Sequence, residues 1–366
     1  MTQETGSTTG AGAVRRLGER WIRELAGTGG GSFVCSPAGL WLALAVVAAG
    51  ARGETADELR AVLGVAEQEA ADAVTAGVRE LAATEALGVA TRVWSRVPVY
   101  RAYREALADI GFGPMDTAEV DAWVREATGG LIERLPLDIS DEMLLVLVNV
   151  LALKARWEEP FEPGDTEDLP FTDASGVVRE VPTMYGTPGP WDGWTVGGAH
   201  VVELRCRTER AGGAPARVRL VLGEPGAGAA DVLPAGWAPA ASRTPLDADV
   251  LSIAVPRFTL RTNVRVTDQL PALGIRLATS GGADFSGISP ERLTIGQVVQ
   301  ETVVKVAEEG VQAAAVTVLA APGGAAPGPE RCRHIAFDRP FGIVVLDGAG
   351  EVPLFTGWQA DTPVAD

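Results

Sequence analysis

Histidine and cysteine are scarce in this chain of 366 residues: His200 and His334, then Cys35, Cys206 and Cys332. Nucleophilic catalysis by a Ser-His-Asp or Cys-His set needs an imidazole beside the nucleophile. His334 stands two residues from Cys332, so an extended strand would put both on one face, and nothing else supports a reactive pair. An odd number of distant cysteines is not a disulfide framework, and no C-x-x-C or metal-ligand spacing occurs, so neither a metal nor a cofactor is expected. Basic residues are also short: Lys and Arg total 31 against 48 Asp and Glu, a net charge of −17. Such a chain binds nucleic acid and anionic membranes poorly and suits a basic partner. No apolar run reaches the roughly 18 residues that span a bilayer. The amino terminus, MTQETGSTTGAGAV, lacks an apolar signal core, so the expectation is a protein that is cytoplasmic or exported without a recognisable leader. GTGGGS at Gly27 follows a helix rather than a strand, which makes it a poor phosphate loop. Glu308 and Glu309 are adjacent, so in a strand they diverge and form no acid–base pair.

Apolar residues make up 46%, ample for a core, and 44 glycines concentrate in loops. The Ala, Gly, Arg and Val bias resembles GC-rich bacterial coding. The chain is organised around residues 301–341. Thr302 to Val306 is β-branched and reads as a strand. Between Gly310 and Glu330 lie about twenty residues with no lasting period, long for a loop inside a compact domain. From Ala321 to Pro329 only Ala, Gly and Pro occur, so that part should be exposed. From Val311 to Leu319 the residues are small or β-branched. In a strand, Val311, Ala313, Ala315, Thr317 and Leu319 share a face with nothing charged or too large to bury. A loop able to become a sheet strand at little desolvation cost is a candidate switch.

The remaining pattern mixes helices and strands. Residues 1–12 read as a disordered tail, and Val14, Leu17, Trp21 and Leu25 as an amphipathic helix ended by Gly27 to Gly31. Ser36-Pro37 caps a second helix, apolar on every face and therefore buried. Thr55 and Glu58 form a capping-box pattern for a third helix, and a fourth covers about 66–83. Leu87 to Ser95 reads as a strand, Pro98 to Ile110 as a helix, and Val264 to Leu277 as holding a helix. Met143 to Leu153 reads as a strand covered on both faces, broken by Asn149, which needs a partner or marks a sheet opening. Residues 223–246 are rich in Gly and Pro and leave little room for helices. Leu251 to Leu260 reads as a strand, with Pro256 marking a bend or an edge, and 340–357 as a closing hairpin.

Several stretches resemble the serpins, the serine protease inhibitors. Glu308-Glu309-Gly310 before an Ala-rich run resembles their hinge. Gly50, Gly53 and Thr55 after the Ser36-Pro37 helix match their link, and Trp123, Val124, Thr128, Gly129 and Ile132 match the helix across their main sheet. The most specific stretch holds Asn149, Lys154, Trp157, Pro160, Phe161, Asp165, Thr166 and Phe171. Ala283 to Ser289, and Pro353, Leu354, Phe355 and Gly357, match near the carboxy end. The resemblance covers about 14–358 in order and implies one domain, 1–366. The implied fold class is α+β: a large central mixed β-sheet, about eight helices, a second β-barrel-like set of strands and an exposed reactive loop.

The resemblance also implies a mechanism. No catalytic activity of its own is expected. The chain would be a suicide substrate of a serine protease, a monomer whose loop 310–324 enters the central sheet after cleavage. Hinge residues would be Glu308, Glu309, Gly310, Val311, Gln312, Ala313, Ala314 and Ala315, within a hinge and loop of 309–333. Ser36, Asn149, Trp157, Thr166 and Gln300 would form the shutter and breach through which the loop enters. Val311 stands where the family usually has Thr or Ser, Gln300 where many members have His, and Gly39 where many have a second Ser. The loop is about five residues longer than is common. Counting from the hinge puts the reactive bond at Gly324-Ala325; counting back from Pro340 puts it near Pro329-Glu330. Small residues there suit an elastase- or subtilisin-like protease, whereas Arg331, which would suit trypsin, lies beyond the usual span. The alternative is a non-inhibitory serpin acting as a binding or chaperone-like protein.

Overall fold

The computed structural model describes residues 5–27, 29–128, 130, 144–311 and 331–364. Its core begins with the Pro37–Ala49 helix. Ser36 accepts a hydrogen bond from the Gly39 amide at 3.0 Å, and Pro37 fills the first helical position. With apolar residues on all sides, this helix lies inside the molecule, and the Trp41 Nε1 donates to the Leu63 carbonyl at 3.1 Å. The Thr5–Gly27 helix packs beside it through Val14, Leu17 and Trp21.

Four parts of the sequence reading need correction. Residues 5–12 are not a disordered tail; they belong to the first helix, and the small side chain of Ala11 is buried. Tertiary packing carries that helix past the point where its apolar period begins. Thr55 and Glu58 form no capping box, because the third helix, Gly53–Leu63, starts before them at Arg52. Thr55 Oγ1 accepts instead from the Asp284 amide, and Glu58 from the amides of Arg276, Leu277 and Ala278. Residues 223–246 do hold helical turns, Ala229–Val232, Leu233–Trp237 and Ala240–Ser242, stabilised by burial of Val232, Leu233 and Trp237. The helix within 264–277 shrinks to Leu270–Leu273, closed by Gly274 in the left-handed conformation.

One seven-stranded antiparallel sheet runs Phe33–Cys35, Pro353–Gln359, Phe341–Leu346, Arg217–Leu222, Ala199–Arg205, Gly193–Val196, Thr244–Pro245. A four-stranded sheet runs Cys332–Ala336, Val250–Pro256, Val178–Gly186, Glu167–Thr172. The third is divided. One half holds Gly111–Pro114, Leu87–Ser95 and Leu145–Leu153; the other holds Phe258–Arg265, Val299–Ala307, Gly310–Val311 and Ala155–Arg156. The halves share chain continuity through Lys154, and below that junction the Leu145–Leu153 and Val299–Ala307 edges face each other without pairing.

All three sheets meet at one ring. Phe341 makes edge-to-face contacts with Phe171, Phe258 and Phe337 at centroid distances of 6.3, 5.2 and 5.4 Å. All four are fully buried. Phe341→Ala should therefore cost about 3–5 kcal/mol and lower the thermal midpoint, whereas Val178→Ala, on an exposed hairpin, should change stability by less than about 0.5 kcal/mol. Thermal unfolding followed by circular dichroism compares the two.

Candidate functional site

The site is the junction where the divided sheet closes. The Val299–Ala307 strand ends in a turn at Glu308-Glu309, and the chain returns as Gly310–Val311. These two residues pair antiparallel with Ala307 and Val306 on one side and with Arg156 and Ala155 on the other. The first two residues after the turn thus lie between the Val299–Ala307 strand and Ala155–Arg156, which continues the Leu145–Leu153 chain. Val311 is buried, so the bulkier side chain at this position is accommodated in the core. Gly310 is required by close approach: a Cβ there would lie 2.2 Å from the Ala155 carbonyl oxygen and 2.7 Å from Arg156 Cα.

Trp157 straps the turn. Its amide donates to the Glu309 carbonyl and its indole to the Ala307 carbonyl, each at 2.9 Å. The Phe161 amide donates to the Glu308 carbonyl at 2.9 Å, and the two rings meet edge to face. The Glu308 carboxylate turns inward, where Thr166 Oγ1 donates to it at 2.8 Å and Arg257 makes an ion pair with it. Burial works against its ionisation, but the bonds from Arg257 and Thr166 outweigh this, and its pKa is lowered. Glu309 is less buried than Glu308, as divergent neighbours in an extended turn should be.

At the middle of the gap lies a second polar group. The Ser36 amide donates to Gln300 Oε1 at 2.6 Å, and Gln300 Nε2 donates to the Ser36 carbonyl at 3.1 Å. Thr302 Oγ1 donates to the same Gln300 oxygen, and Ser36 Oγ to the Leu354 carbonyl. Asn149 Nδ2 donates across the strand pair to Thr91 Oγ1 at 2.7 Å, while Asn149 Oδ1 is buried with no partner among the described residues. That oxygen faces Gly39, where a Cβ would come within 2.9 Å of it. Asn149 is therefore both an inter-strand partner and a residue at the sheet opening. Ser36, Asn149, Gln300 and Thr302 line a slot of about 330 Å³ between the facing strands.

The sequence-predicted residues thus fall into two clusters: Trp157, Thr166, Glu308, Glu309, Gly310 and Val311 at the closed end, and Ser36, Asn149 and Gln300 along the slot. Gln312, Ala313, Ala314, Ala315, Gly324, Ala325, Pro329 and Glu330 lie outside the described residues. Thr91, Arg257 and Thr302 were not singled out in the sequence. Arg257 carried a faint signal, as a charge beside the bend at Pro256. Where the description resumes, Arg331 is held by Asp249 and Asp247. The Arg331 hydrogen bonds hold Asp249 at about 2, below the usual carboxylate range. His334 pairs not with Cys332 but with Ser252 on the neighbouring strand, Nδ1 to Oγ at 2.8 Å.

A profile of the Serpin (serine protease inhibitor) family matches residues 13–361. The leukocyte elastase inhibitor of Bos taurus is 30% identical, covering 78% of this chain and 82% of its own length. Serpin-Z2A of Oryza sativa subsp. japonica is 29% identical over 96% and 97% of the two chains. Among solved structures, the thermophilic serpin tengpin in its native state has a TM-score of 0.82 at 20% identity, covering 99% of this chain and 95% of its own. Serpin48 of Tenebrio molitor has 0.79 at 24% identity, covering 98% and 100%.

The Glu308 latch carries a pH dependence. Its folded-state pKa lies below the ordinary 4.5, so its stabilisation is complete above that value and is lost as pH falls through the lowered one. The thermal midpoint should fall as pH drops from about 5 toward 3, and Glu308→Gln should both lower it at neutral pH and flatten the acid limb. An acid limb identical in the two proteins would show that Glu308 takes no part.

Proposed function

The chain belongs to the serpin family, whose members are in general protease inhibitors rather than enzymes, and from that premise we propose a suicide-substrate inhibitor of a serine protease. The observation that carries the reading is the slot itself. Two strand edges face each other with no strand paired between them among the described residues, and at their closed end Gly310–Val311 pairs with Val299–Ala307 and with Ala155–Arg156. The residues that follow, Gln312, Ala313, Ala314 and Ala315, are small or uncharged.

In the proposed reaction, the protease serine attacks the Gly324 carbonyl, forming an ester and releasing the Ala325 amine. Cutting frees the segment after Val311 to continue down the slot, with new hydrogen bonds to both edges. About fourteen residues at ~3.3 Å each would carry the acylated protease some 45 Å. Its active site is distorted before water can cleave the ester. The driving energy comes from an uncut state that is kinetically trapped. Small residues at the reactive bond fit the shallow pocket of an elastase- or subtilisin-like enzyme, and a bovine relative is named for leukocyte elastase. The Asp247 and Asp249 clamp on Arg331 argues against a trypsin-like choice, because that guanidinium is already engaged. Ser36, Asn149 and Gln300 would act as the shutter, opening as the new strand passes, and Trp157 and Thr166 as the breach.

Brief incubation with elastase or subtilisin should give a denaturant-resistant band at the summed mass. Mass spectrometry of the carboxy-terminal fragment from the denatured complex should read Ala325 as its first residue. Ala313→Arg or Ala315→Glu should abolish the band and leave clean cleavage, since a charge cannot enter the sheet. Undiminished trapping by either variant would refute insertion.

A further inference from the structure

A cleft of about 660 Å³ lies beside the closed end of the slot. One wall is the Trp157–Asp165 segment, which straps Glu308 and Glu309. The other includes Ser252, whose hydroxyl pairs with His334 on the strand that follows Arg331. The cleft is therefore flanked by residues bonded to the Glu308-Glu309 turn and to His334.

Its walls are aromatic and its rim is acidic. Trp157 and Phe161 are buried, whereas Tyr185 and Trp191 are 36% and 73% exposed. The Trp191 ring lies over Gly189, where a Cβ would come within 2.4 Å of it. A glycine here lets the indole approach the backbone closely while most of the side chain stays exposed. Asp192 and Glu203 are satisfied by Arg205 and Arg219. Glu158 feels the charge of Arg205, whereas Glu159, Glu162 and Asp165 are exposed and form no ion pair among the described residues. The three cation–π contacts found among those residues involve Trp94 and Trp194, not Trp191.

We propose that this cleft receives an arginine side chain from the surface of the target protease, a contact additional to the loop; it rests on the inhibitor reading for its partner. A guanidinium is planar and weakly hydrated, stacks on an indole face and binds carboxylates in a fork. An ammonium, more strongly hydrated and without a plane to stack, fits less well. The sign agrees with the net charge of −17, which steers basic partners toward this chain.

The test is a titration of the full chain with a hexa-arginine peptide in about 0.15 M salt, read by calorimetry, with hexa-lysine and hexa-glutamate peptides beside it. Saturable binding of one hexa-arginine per chain, tighter than hexa-lysine, with no binding of hexa-glutamate, is expected. Trp191→Ala and the double variant Glu159→Gln/Glu162→Gln should each weaken it by about tenfold. All three residues are exposed, so an unchanged thermal midpoint should confirm that the variants fold. Failure of hexa-arginine to bind, or equal binding by both variants, would overturn the proposal. Loop insertion has its own readout: Trp191→Ala should slow formation of the denaturant-resistant complex without changing its stoichiometry. If no protease is trapped, the peptide titration still decides the cleft.

Discussion

Backbone amides and carbonyls at a strand edge demand partners, and here two edges that could share one strand have none between them among the described residues. That unfilled ladder organises the molecule. The Pro37–Ala49 helix lies close by, with its cap, Ser36, bonded to Gln300 on one edge and packed near Asn149 on the other. The closed end is set by Gly310–Val311, which pairs with the Val299–Ala307 strand on one side and with Ala155–Arg156, the continuation of the Leu145–Leu153 chain, on the other. A strand placed between these edges would give their amides and carbonyls partners.

What keeps the gap from simply collapsing is a division of labour between apolar and polar contacts. The Phe341 cluster ties the three sheets at a distance from the slot. Along the slot the contacts are few, directional hydrogen bonds, which break individually and reform with new partners. Asn149 Oδ1, buried beside Gly39, and Gln297 Oε1 have no hydrogen-bond partner among the described residues. At the closed end the charge pair of Glu308 and Arg257 joins the turn to the start of the Phe258–Arg265 strand, so the turn and the strand beside it move together.

Much of this was readable in the residues. The Ser36-Pro37 cap, the buried second helix and the strand around Asn149 follow from local chemistry. What was not readable depends on partners far along the chain. Thr55 and Glu58 look like a cap in sequence, yet their oxygens bind amides more than two hundred residues away. Arg257 and Glu308 are 51 residues apart, and neither position announces the other. The division of the sheet is invisible for a simpler reason: β-branched residues mark a strand, but the same residues serve a paired edge and an open one.

The strands that follow the 312–330 segment have one further consequence. Cys332–Ala336 is bonded to Val250–Pro256, and Phe341–Leu346 lies between Arg217–Leu222 and Pro353–Gln359 inside the seven-stranded sheet. A chain severed anywhere within 312–330 would leave those strands on a short fragment of their own. That fragment would stay woven into two sheets and pinned by Phe341, so the severed molecule would travel as one body in any solvent that spares the fold. Its two pieces would part only in denaturant, and an observer working under native conditions would see no change of size to reveal that a peptide bond had gone.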